Sequence, residues 1–358
     1  MSRTLTIDVG AGTVDVLYTD TESGLHYKTV VKSPVGTIAD RVGTADGKLL
    51  ILGTEMGGGA VTQAVKQRAA REEVVISTSA AATLSHDMER VSSLGLDVVS
   101  DRRARELEAD GGFSVVTFCD LEIDRLERIV ESFGVPFAFD VVGVCAQDHG
   151  VAPKGVSHLD YRHNHYTPIL DARPHPDALL YRGDEVPEDM SRLRSIAAAA
   201  REISTGEVYV MDSGMAAILG ASMDPRVRRS DKSLVLDVAT SHTVAAALQR
   251  DELCGFVEYH TRDIRPERID WLLRELADGR LEHEQVLAQG GHGAYTRRPL
   301  GFDSVEVILA TGPKRALVRG SKLDIELGAP LGDNMMTGTV GLLEAIRRYE
   351  GWAEIPWA

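Results

Sequence analysis

The sequence predicts an α/β protein built from two similar domains. Apolar stretches of strand length alternate with stretches of helical periodicity, which is typical of mixed sheets joined by crossover helices. A strand–turn–strand pattern over 4–19 is repeated over 233–248, and Asp8 and Asp237 occupy the same place in the two copies. At 358 residues the chain is long enough for two domains that each have a core. The repeat and the length together predict two such domains with a cleft between them.

The first turn carries residue types that suit a phosphate group. It joins predicted strands at 4–9 and 14–19. Glycine lets the backbone approach a ligand closely, and successive free N–H groups in such a turn form an anion-binding concavity. Asp8, at the end of the first strand, is suited to hold water on a phosphate-bound Mg²⁺. An ordinary glycine-rich hairpin is the alternative. The candidate phosphate-binding residues are Gly10, Ala11, Gly12 and Thr13.

The remainder of the first domain follows from the same periodicities. Three consecutive glycines at 57–59 precede a predicted helix and form either a second anion site or a flexible entry loop. A charged linker at 226–232 indicates where this domain ends. The expected strands are 25–31, 49–53, 74–77, 115–118, 137–145 and 208–211, and the expected helices are 60–72, 80–91, 120–133, 190–203 and a small-residue helix from 213.

The segment 147–187 interrupts this alternation with prolines, glycines and histidines. If it were extended, His163 and His165 would share a face, and Asp148 or Asp160 could complete a metal site, although the spacing matches no zinc motif. The alternative is a polar loop or lid whose histidines line a substrate cleft. Long connections in compact domains are usually functional. We therefore expect a small-molecule acceptor or a protein partner to bind near His149, His158, His163 and His165.

The second copy of the strand–turn–strand pattern supplies a second turn. Predicted strands at 233–238 and 244–248 flank it, and Asp237 takes the place of Asp8. Ala239 replaces a glycine, and its methyl group would hold the backbone slightly away from a phosphate. A plain core hairpin is the alternative. The candidate binding residues in this turn are Thr240, Ser241, His242 and Thr243.

The C-terminal third contains two further indicative stretches. A predicted buried strand from 305 ends at Gly312 and Pro313, before two basic residues. The sequence from 338 predicts a closing helix and tail that pack back on the first domain. The predicted organisation is therefore 1–225, with a histidine-rich insertion at 147–187, then 233–337 and 338–358.

These stretches resemble the motifs of the actin, sugar-kinase and heat-shock-chaperone ATPase superfamily. The first turn is similar to its pattern D-x-G-x-G-T-x-D, and the turn at 239–243 is similar to its second phosphate loop. Gly312 and Pro313 resemble its adenosine motif, and the helices from 213 and 338 resemble its hinge helices. The resemblance implies two ribonuclease H-like domains around a nucleotide cleft, with ATP and Mg²⁺ as ligands.

The resemblance also implies roles for three acidic residues. Asp8 and Asp237 would hold Mg²⁺ through water, and Asp237 or Asp212 would orient the attacking group. We therefore predict an Mg-ATP-dependent phosphotransferase or ATPase that transfers the γ-phosphoryl group to a small acceptor. The alternative is an ATP-driven activator or remodeller of a partner protein. Acceptor-dependent release of ADP would separate the two hypotheses.

In detail, the sequence is most similar to a small prokaryotic family whose members often carry the label pyruvate formate-lyase activating enzyme. That label implies radical chemistry on an iron–sulfur cluster held by a C-x-x-x-C-x-x-C motif. Cys119, Cys145 and Cys254 are far apart and form no such motif. We therefore reject this activity and interpret the three cysteines as small buried apolar residues.

Charge and hydropathy exclude two classes of partner. The formal net charge is −15, from 39 basic and 54 acidic residues, which argues against nucleic acid. No stretch approaches the roughly 18 apolar residues of a membrane span. The chain starts without the apolar region of a signal peptide, so we expect a cytoplasmic protein. The oligomeric state stays open, with a homodimer as one option.

Overall fold

The computed structural model describes residues 3–354, whose strands form three sheets. The strands are β1 (Arg3–Val9), β2 (Thr13–Asp20), β3 (Leu25–Lys32), β4 (Leu49–Gly53), β5 (Val74–Ser77), β6 (Asp97–Val99), β7 (Ser114–Phe118), β8 (Ala138–Ala146), β9 (Leu180–Arg182), β10 (Ser204–Asp212), β11 (Lys232–Val238), β12 (His242–Gln249), β13 (Glu252–His260), β14 (Gly293–Thr296), β15 (Val307–Thr311) and β16 (Glu326–Leu327).

Helices cover the faces of these sheets. The α-helices are α1 (Pro34–Thr44), α2 (Ala60–Ala69), α3 (Thr78–Ala81), α4 (Met88–Ser92), α5 (Asp101–Asp110), α6 (Ile123–Glu131), α7 (His158–Ala172), α8 (Ser191–Ala200), α9 (Ser213–Ser222), α10 (Pro225–Arg229), α11 (Pro266–Ala277), α12 (His283–Ala288) and α13 (Thr337–Glu350). Short 3₁₀ turns occur at Pro176–Leu179, Thr261–Asp263, Phe302–Ser304, Arg315–Gly320 and Pro330–Gly332.

Two of the three sheets share one topology, as the sequence repeat predicted. The first has the order β3-β2-β1-β8-β10-β9, and the second has the order β14-β13-β12-β11-β15-β16. In each sheet an antiparallel meander of three strands is followed by two strands that run parallel to its first strand. An antiparallel edge strand is added beside the parallel strands in the first sheet (β9) and beside the meander in the second (β14). This is the ribonuclease H-like order. The predicted α/β class with two similar domains is therefore confirmed.

The third sheet is a separate unit that the sequence did not indicate. Its order is β6-β5-β4-β7, all parallel, and it has its own apolar core, which includes Ile51, Ile76 and Phe118. The strands β4, β5 and β7 were predicted, but a strand pattern does not say which sheet a strand joins. The single helix expected over 80–91 is instead α3 and α4. The cause is local, because the Asp87 carboxylate accepts backbone N–H groups at the start of α4 and so begins a new helix.

The histidine-rich segment is not a loop throughout, because it contains the four-turn helix α7. Residues two apart on a helix point about 200° apart, so His163 and His165 do not share a face. The His163 ring packs on Phe256, with centroids 5.4 Å apart. The His165 ring lies on the other side, with Nδ1 3.5 Å from the Asp189 carboxylate. The arrangement in which these two histidines converge on one metal is therefore not formed.

The helices α9 and α13 cross in direct backbone contact between the two repeated sheets. A methyl group on Gly341 would overlap the carbonyl oxygen of Ala216, and one on Gly220 would overlap that of Thr337. Glycine is required at both positions because the opposing atoms are backbone and cannot rotate away. The two helices that resemble the hinge helices of the superfamily are thus in direct contact.

Replacing Gly341 by alanine should destabilise the protein by at least about 1–3 kcal/mol, the usual cost of inserting an extra methyl group into a packed core. Urea denaturation of the full chain would measure this change. Gly43→Ala is the matched control, because this exposed glycine of α1 has nothing within 4 Å of an added methyl group. Equal unfolding midpoints for the two variants would contradict the proposed contact.

Several sequence predictions concern matters beyond this architecture. The division into 1–225, 233–337 and 338–358 stays a prediction, and the part of the tail at 355–358 lies outside the described residues.

In residues 3–354 no helix has the length and apolar character needed to cross a lipid bilayer. The cysteines are unpaired; Cys145 and Cys254 are buried, whereas Cys119 is only half-buried.

Candidate functional site

The two repeated turns border a cavity of about 730 Å³ between the two similar sheets. Each turn is closed by one backbone hydrogen bond, of 3.0 Å in the first turn and 3.1 Å in the second. A Cβ atom on Gly12 would lie only 2.8 Å from Cγ2 of Thr240. The turns therefore meet at their tips, and the lack of a side chain at Gly12 permits this approach.

Most of the predicted binding residues border this cavity. The exceptions are Thr243, whose hydroxyl lies 3.0 Å from that of Thr261, and Gly312, whose carbonyl accepts from Asn334 Nδ2 at 2.9 Å. Thr243 and Gly312 therefore lie behind the residues that line the cavity. Asn334 itself borders the cavity. The predicted residues that line it are Asp8, Gly10, Ala11, Gly12, Thr13, Asp237, Thr240, Ser241, His242 and Pro313.

Three carboxylates lie together beneath the tips of the turns. Burial raises the pKa of Asp8 to about 6, and the Asp212 carboxylate adds to this effect. Burial, followed by the charge of Asp8, raises the pKa of Asp15 to about 8 and that of Asp237 to about 7. Removal from water and mutual repulsion both disfavour three negative charges in this place. A cation among them would relieve that repulsion.

Asp15 is the member of this group that sequence reasoning missed. It pairs with Asp8 across the β1–β2 hairpin, and it stands at the last position of the phosphate-loop pattern, which was the available signal. Its Oδ1 is buried and has no hydrogen-bond partner among the described residues. Such an orphaned oxygen, within a set of carboxylates, fits Mg²⁺, which prefers oxygen ligands and retains several waters. The donor set therefore suits the metal that the fold implies.

Asp212 has a different environment from the other candidate catalytic residues. It is fully buried, it does not line the cavity, and it caps α9 by accepting the Met215 N–H at 3.0 Å. Its carboxylate also accepts from Arg162 at 2.8 Å and from the Tyr166 hydroxyl at 2.9 Å. The predicted role of Asp212 in orienting an attacking group stays a prediction. In this geometry it would act through these partners.

Arg162 connects Asp212 to the second repeated sheet. Its guanidinium, which is 1% exposed, also donates to Glu258 of β13 at 2.6 Å. Burial alone would raise the pKa of Glu258, but the Arg162 charge holds it well below its usual range. The buried triad Asp212–Arg162–Glu258 thus ties helix α7 to both sheets. No sequence signal marked Arg162, because the pairing joins residues that are far apart in the chain.

The triple glycine borders the cavity from the side of the third sheet. The Gly57 N–H donates to Asp120 at 3.1 Å, and Arg192 forms two bonds to the same carboxylate at 2.8 and 2.9 Å. Gly59 then precedes α2, whose first turn lacks a side-chain cap. Both predicted alternatives for these glycines, an anion site at the start of a helix and a flexible entry loop, therefore stay open.

The predicted recognition histidines divide into two pairs. His149 and His158 border the cavity, whereas His163 and His165 do not. Burial, followed by the charge of Arg162, lowers the pKa of His149 to about 3, so its ring is neutral at physiological pH. Asp148, considered as a metal ligand, instead accepts backbone N–H groups of Gly150 and Leu193 at 2.8 and 2.9 Å.

A second group of histidines lies at the cavity edge of the second repeated sheet. His242, His260 and His292 place nitrogen atoms within 4.8 Å of one another. Only His242 was predicted as a site residue, because it belongs to the second turn. His260 ends β13, and His292 lies in a glycine-rich stretch just before β14. Their convergence depends on strand pairing, which no local pattern reveals.

The cysteines do not form the cluster site that the enzyme label would require. Cys119 follows β7 of the third sheet, Cys145 lies in β8, and Cys254 lies in β13. Among residues 3–354 no cysteine belongs to a group of three potential metal ligands, whereas an iron–sulfur cluster needs adjacent thiolate ligands. The residues present do not fit that cofactor.

Two ribonuclease H-like sheets, with crossing helices between them and with their first turns in contact, define the actin-like ATPase fold. Within it, residues 56–317 match the family model described as "Putative pyruvate format-lyase activating enzyme (DUF1786)". The chain belongs to this family, which confirms the resemblance seen in the sequence. No curated protein matches the sequence.

Solved structures of the same fold are similar over nearly the whole chain. A Bacteroides thetaiotaomicron protein with an actin-like ATPase fold has 9% identity and a TM-score of 0.37, covering 96% of this chain and 95% of that one. An inorganic polyphosphate/ATP-glucomannokinase from Arthrobacter has 14% identity and a TM-score of 0.37, covering 97% and 100%. A glucokinase of the ROK family from Streptomyces griseus has 12% identity and a TM-score of 0.34, covering 97% and 99%.

Proposed function

We propose that this protein binds Mg-ATP in the cavity between its two similar sheets and transfers the γ-phosphoryl group to a small acceptor. The observation that carries the proposal is the group Asp8, Asp15 and Asp237 beneath two opposed turns that each contain a threonine. Backbone N–H groups of such turns bind phosphate oxygens. Mg²⁺, when bound, neutralises the developing charge on the transferred group. The cavity also has room beside the turns for an acceptor.

The residues have distinct roles in this proposal. Gly10, Gly12 and Thr13 bind the phosphates from the first domain, and Thr240 and Ser241 bind them from the second. Asp8 and Asp237 hold the metal through water, and Asp15 adds a third negative charge beside the same metal ion. Since Asp237 faces the cavity and Asp212 does not, Asp237 is the better group to orient the acceptor hydroxyl. The acceptor binds between the second turn and the histidines at 149 and 158.

Thermal unfolding with nucleotide tests the binding step. At a ligand concentration of about 100 times Kd, Mg-ADP or Mg-ATP should stabilise the full chain by roughly 2.7 kcal/mol. Gly12→Val should remove most of this stabilisation, because its side chain would clash with Thr240 and push the two turns apart. Gly43→Val, at an exposed glycine of α1, is the control. Unchanged melting with every purine nucleotide plus Mg²⁺ would refute the proposal.

Release of ADP tests the transfer step. A phosphotransferase should release ADP faster when a screened small molecule serves as acceptor, and the phosphorylated product should appear in equal amount. An ATP-driven activator would instead release ADP in response to a protein partner and form no phosphorylated small molecule.

A further inference from the structure

We propose that His242, His260 and His292 form a binding site for a divalent transition-metal ion, with an open coordination position that faces the cavity. This site is separate from the carboxylate group assigned to Mg²⁺. It involves imidazole nitrogen atoms rather than oxygen atoms. The inference does not depend on the proposed phosphoryl transfer.

The second sheet brings the three imidazoles together. His242 begins β12 and His260 ends β13, and the two are direct cross-strand partners. The His292 N–H donates to the Glu258 carbonyl at 2.8 Å, which continues the sheet toward β14. Side chains on directly opposed residues of adjacent strands are close neighbours. Three neighbouring strand ends thus present one imidazole each at the same edge.

The nitrogen separations suit a metal ion. Nε2 of His260 lies 3.1 Å from Nε2 of His292, and the ligand atoms of all three residues lie within 4.8 Å of one another. Two nitrogens at about 2.0–2.1 Å from a tetrahedral zinc ion are roughly 3.3 Å apart. The His260–His292 pair is already close to this spacing, and the His242 ring lies beside both partners. Its ring centroid is 5.0 Å from that of His260 and 4.6 Å from that of His292.

Glu258 orients one of the three imidazole ligands. Its Oε1 lies 3.4 Å from Nδ1 of His292, a nitrogen that has no hydrogen-bond partner among the described residues. A proton on Nδ1 directed to this carboxylate leaves the lone pair of Nε2 free for a metal, as in carboxylate–histidine–zinc arrangements. Arg162 and Gln147 both donate to Glu258 and fix its position. A simple hydrogen bond between His260 and His292 would explain neither the position of the His242 ring beside them nor the hydrogen bonds that hold Glu258 in place.

The three imidazole nitrogens determine which metals the site would bind and which kind of molecule could occupy the open coordination position. Imidazole suits zinc, copper, iron and nickel, whereas magnesium and calcium prefer oxygen. Three protein ligands leave a fourth position for water or a substrate oxygen. All three histidines border the cavity, next to the second phosphate turn. The open position would therefore take an oxygen atom of a molecule bound there.

Titration of the metal-free full chain with Co²⁺, without nucleotide or Mg²⁺, tests the site. The wild type should bind one equivalent, with the visible absorption of a four-coordinate ion, and Zn²⁺ should displace it. His260→Gln and His292→Gln should each weaken binding by more than roughly tenfold, the smallest effect typical even of residues that only orient a ligand. His175→Gln is the control, because this histidine lies outside the cavity lining.

X-ray absorption of the zinc-loaded wild type gives a test that needs no variant. It should show three imidazole nitrogens at about 2.0–2.1 Å. Fewer imidazole ligands, no stoichiometric binding by the wild type, or unchanged affinity in both folded variants would overturn the proposal.

Discussion

Replacing Arg162 by methionine should lower the free energy of unfolding by about 3–5 kcal/mol, the usual cost of removing one partner from a buried ion pair. Methionine fills much of the same volume but leaves Asp212 and Glu258 as buried carboxylates without their counter-charge. Both lie almost fully inside the protein, at 1% and 3% exposure. Chemical denaturation of the full chain would measure the loss.

Two controls separate charge from packing in this experiment. Arg103→Met removes an exposed arginine that pairs with Glu106 at 3.2 Å, and should change stability little because surface pairs contribute little. Adding Asp212→Asn and Glu258→Gln to Arg162→Met should restore part of the lost stability, since the uncompensated charges are then gone. If the triple variant were no more stable than Arg162→Met, lost packing rather than buried charge would explain the effect.

The turnover rate of the Asp237→Asn variant should be lower by roughly 10²-fold or more. This is the usual effect of removing one preorganised electrostatic group at a reacting centre. Its stability without metal should stay equal or rise. The reason is that burial and the charge of Asp8 already disfavour the ionised Asp237. Asparagine keeps the shape while removing one of the clustered charges. Steady-state ADP release and thermal melting of the same preparation would measure both effects.

Asp303→Asn is the matched control, because Asp303 is exposed and lies in a 3₁₀ turn beside the same sheet. Asp303→Asn should change neither the rate of ADP release nor the melting temperature appreciably. If Asp237 served only to cap its hairpin, the opposite pattern would follow: lower stability in Asp237→Asn and unchanged turnover per folded molecule. Asp8→Asn should behave as Asp237→Asn does if the two residues share one metal.

Some of the candidate site could be predicted because its residues lie in short, continuous stretches. The turn at Gly10–Thr13 combines glycine, a hydroxyl and a preceding acid within a few residues, and the second turn repeats the hydroxyl at Thr240 and the acid at Asp237. Each signal is complete within one hairpin. Asp15 was visible in the same stretch, yet its role emerged only when its unpaired oxygen was seen beside Asp8.

The remaining parts of the site could not be predicted because they join distant segments. Arg162 meets Glu258 only when helix α7 packs against β13, and His242 meets His260 only through strand register. The separate parallel sheet of β4 to β7 has the same cause, since a strand pattern specifies burial but not the neighbouring strand.

The sequence by itself thus determined the two repeated turns, the α/β class and the two helices that carry Gly220 and Gly341. Periodicity and local residue type are sufficient for these features, because hydrogen bonds and steric limits over a few residues produce them. Only the tertiary structure decided the triad around Arg162, the grouping of three carboxylates and the convergence of three histidines. These depend on which distant side chains share a buried volume, and that is settled by packing over the whole chain.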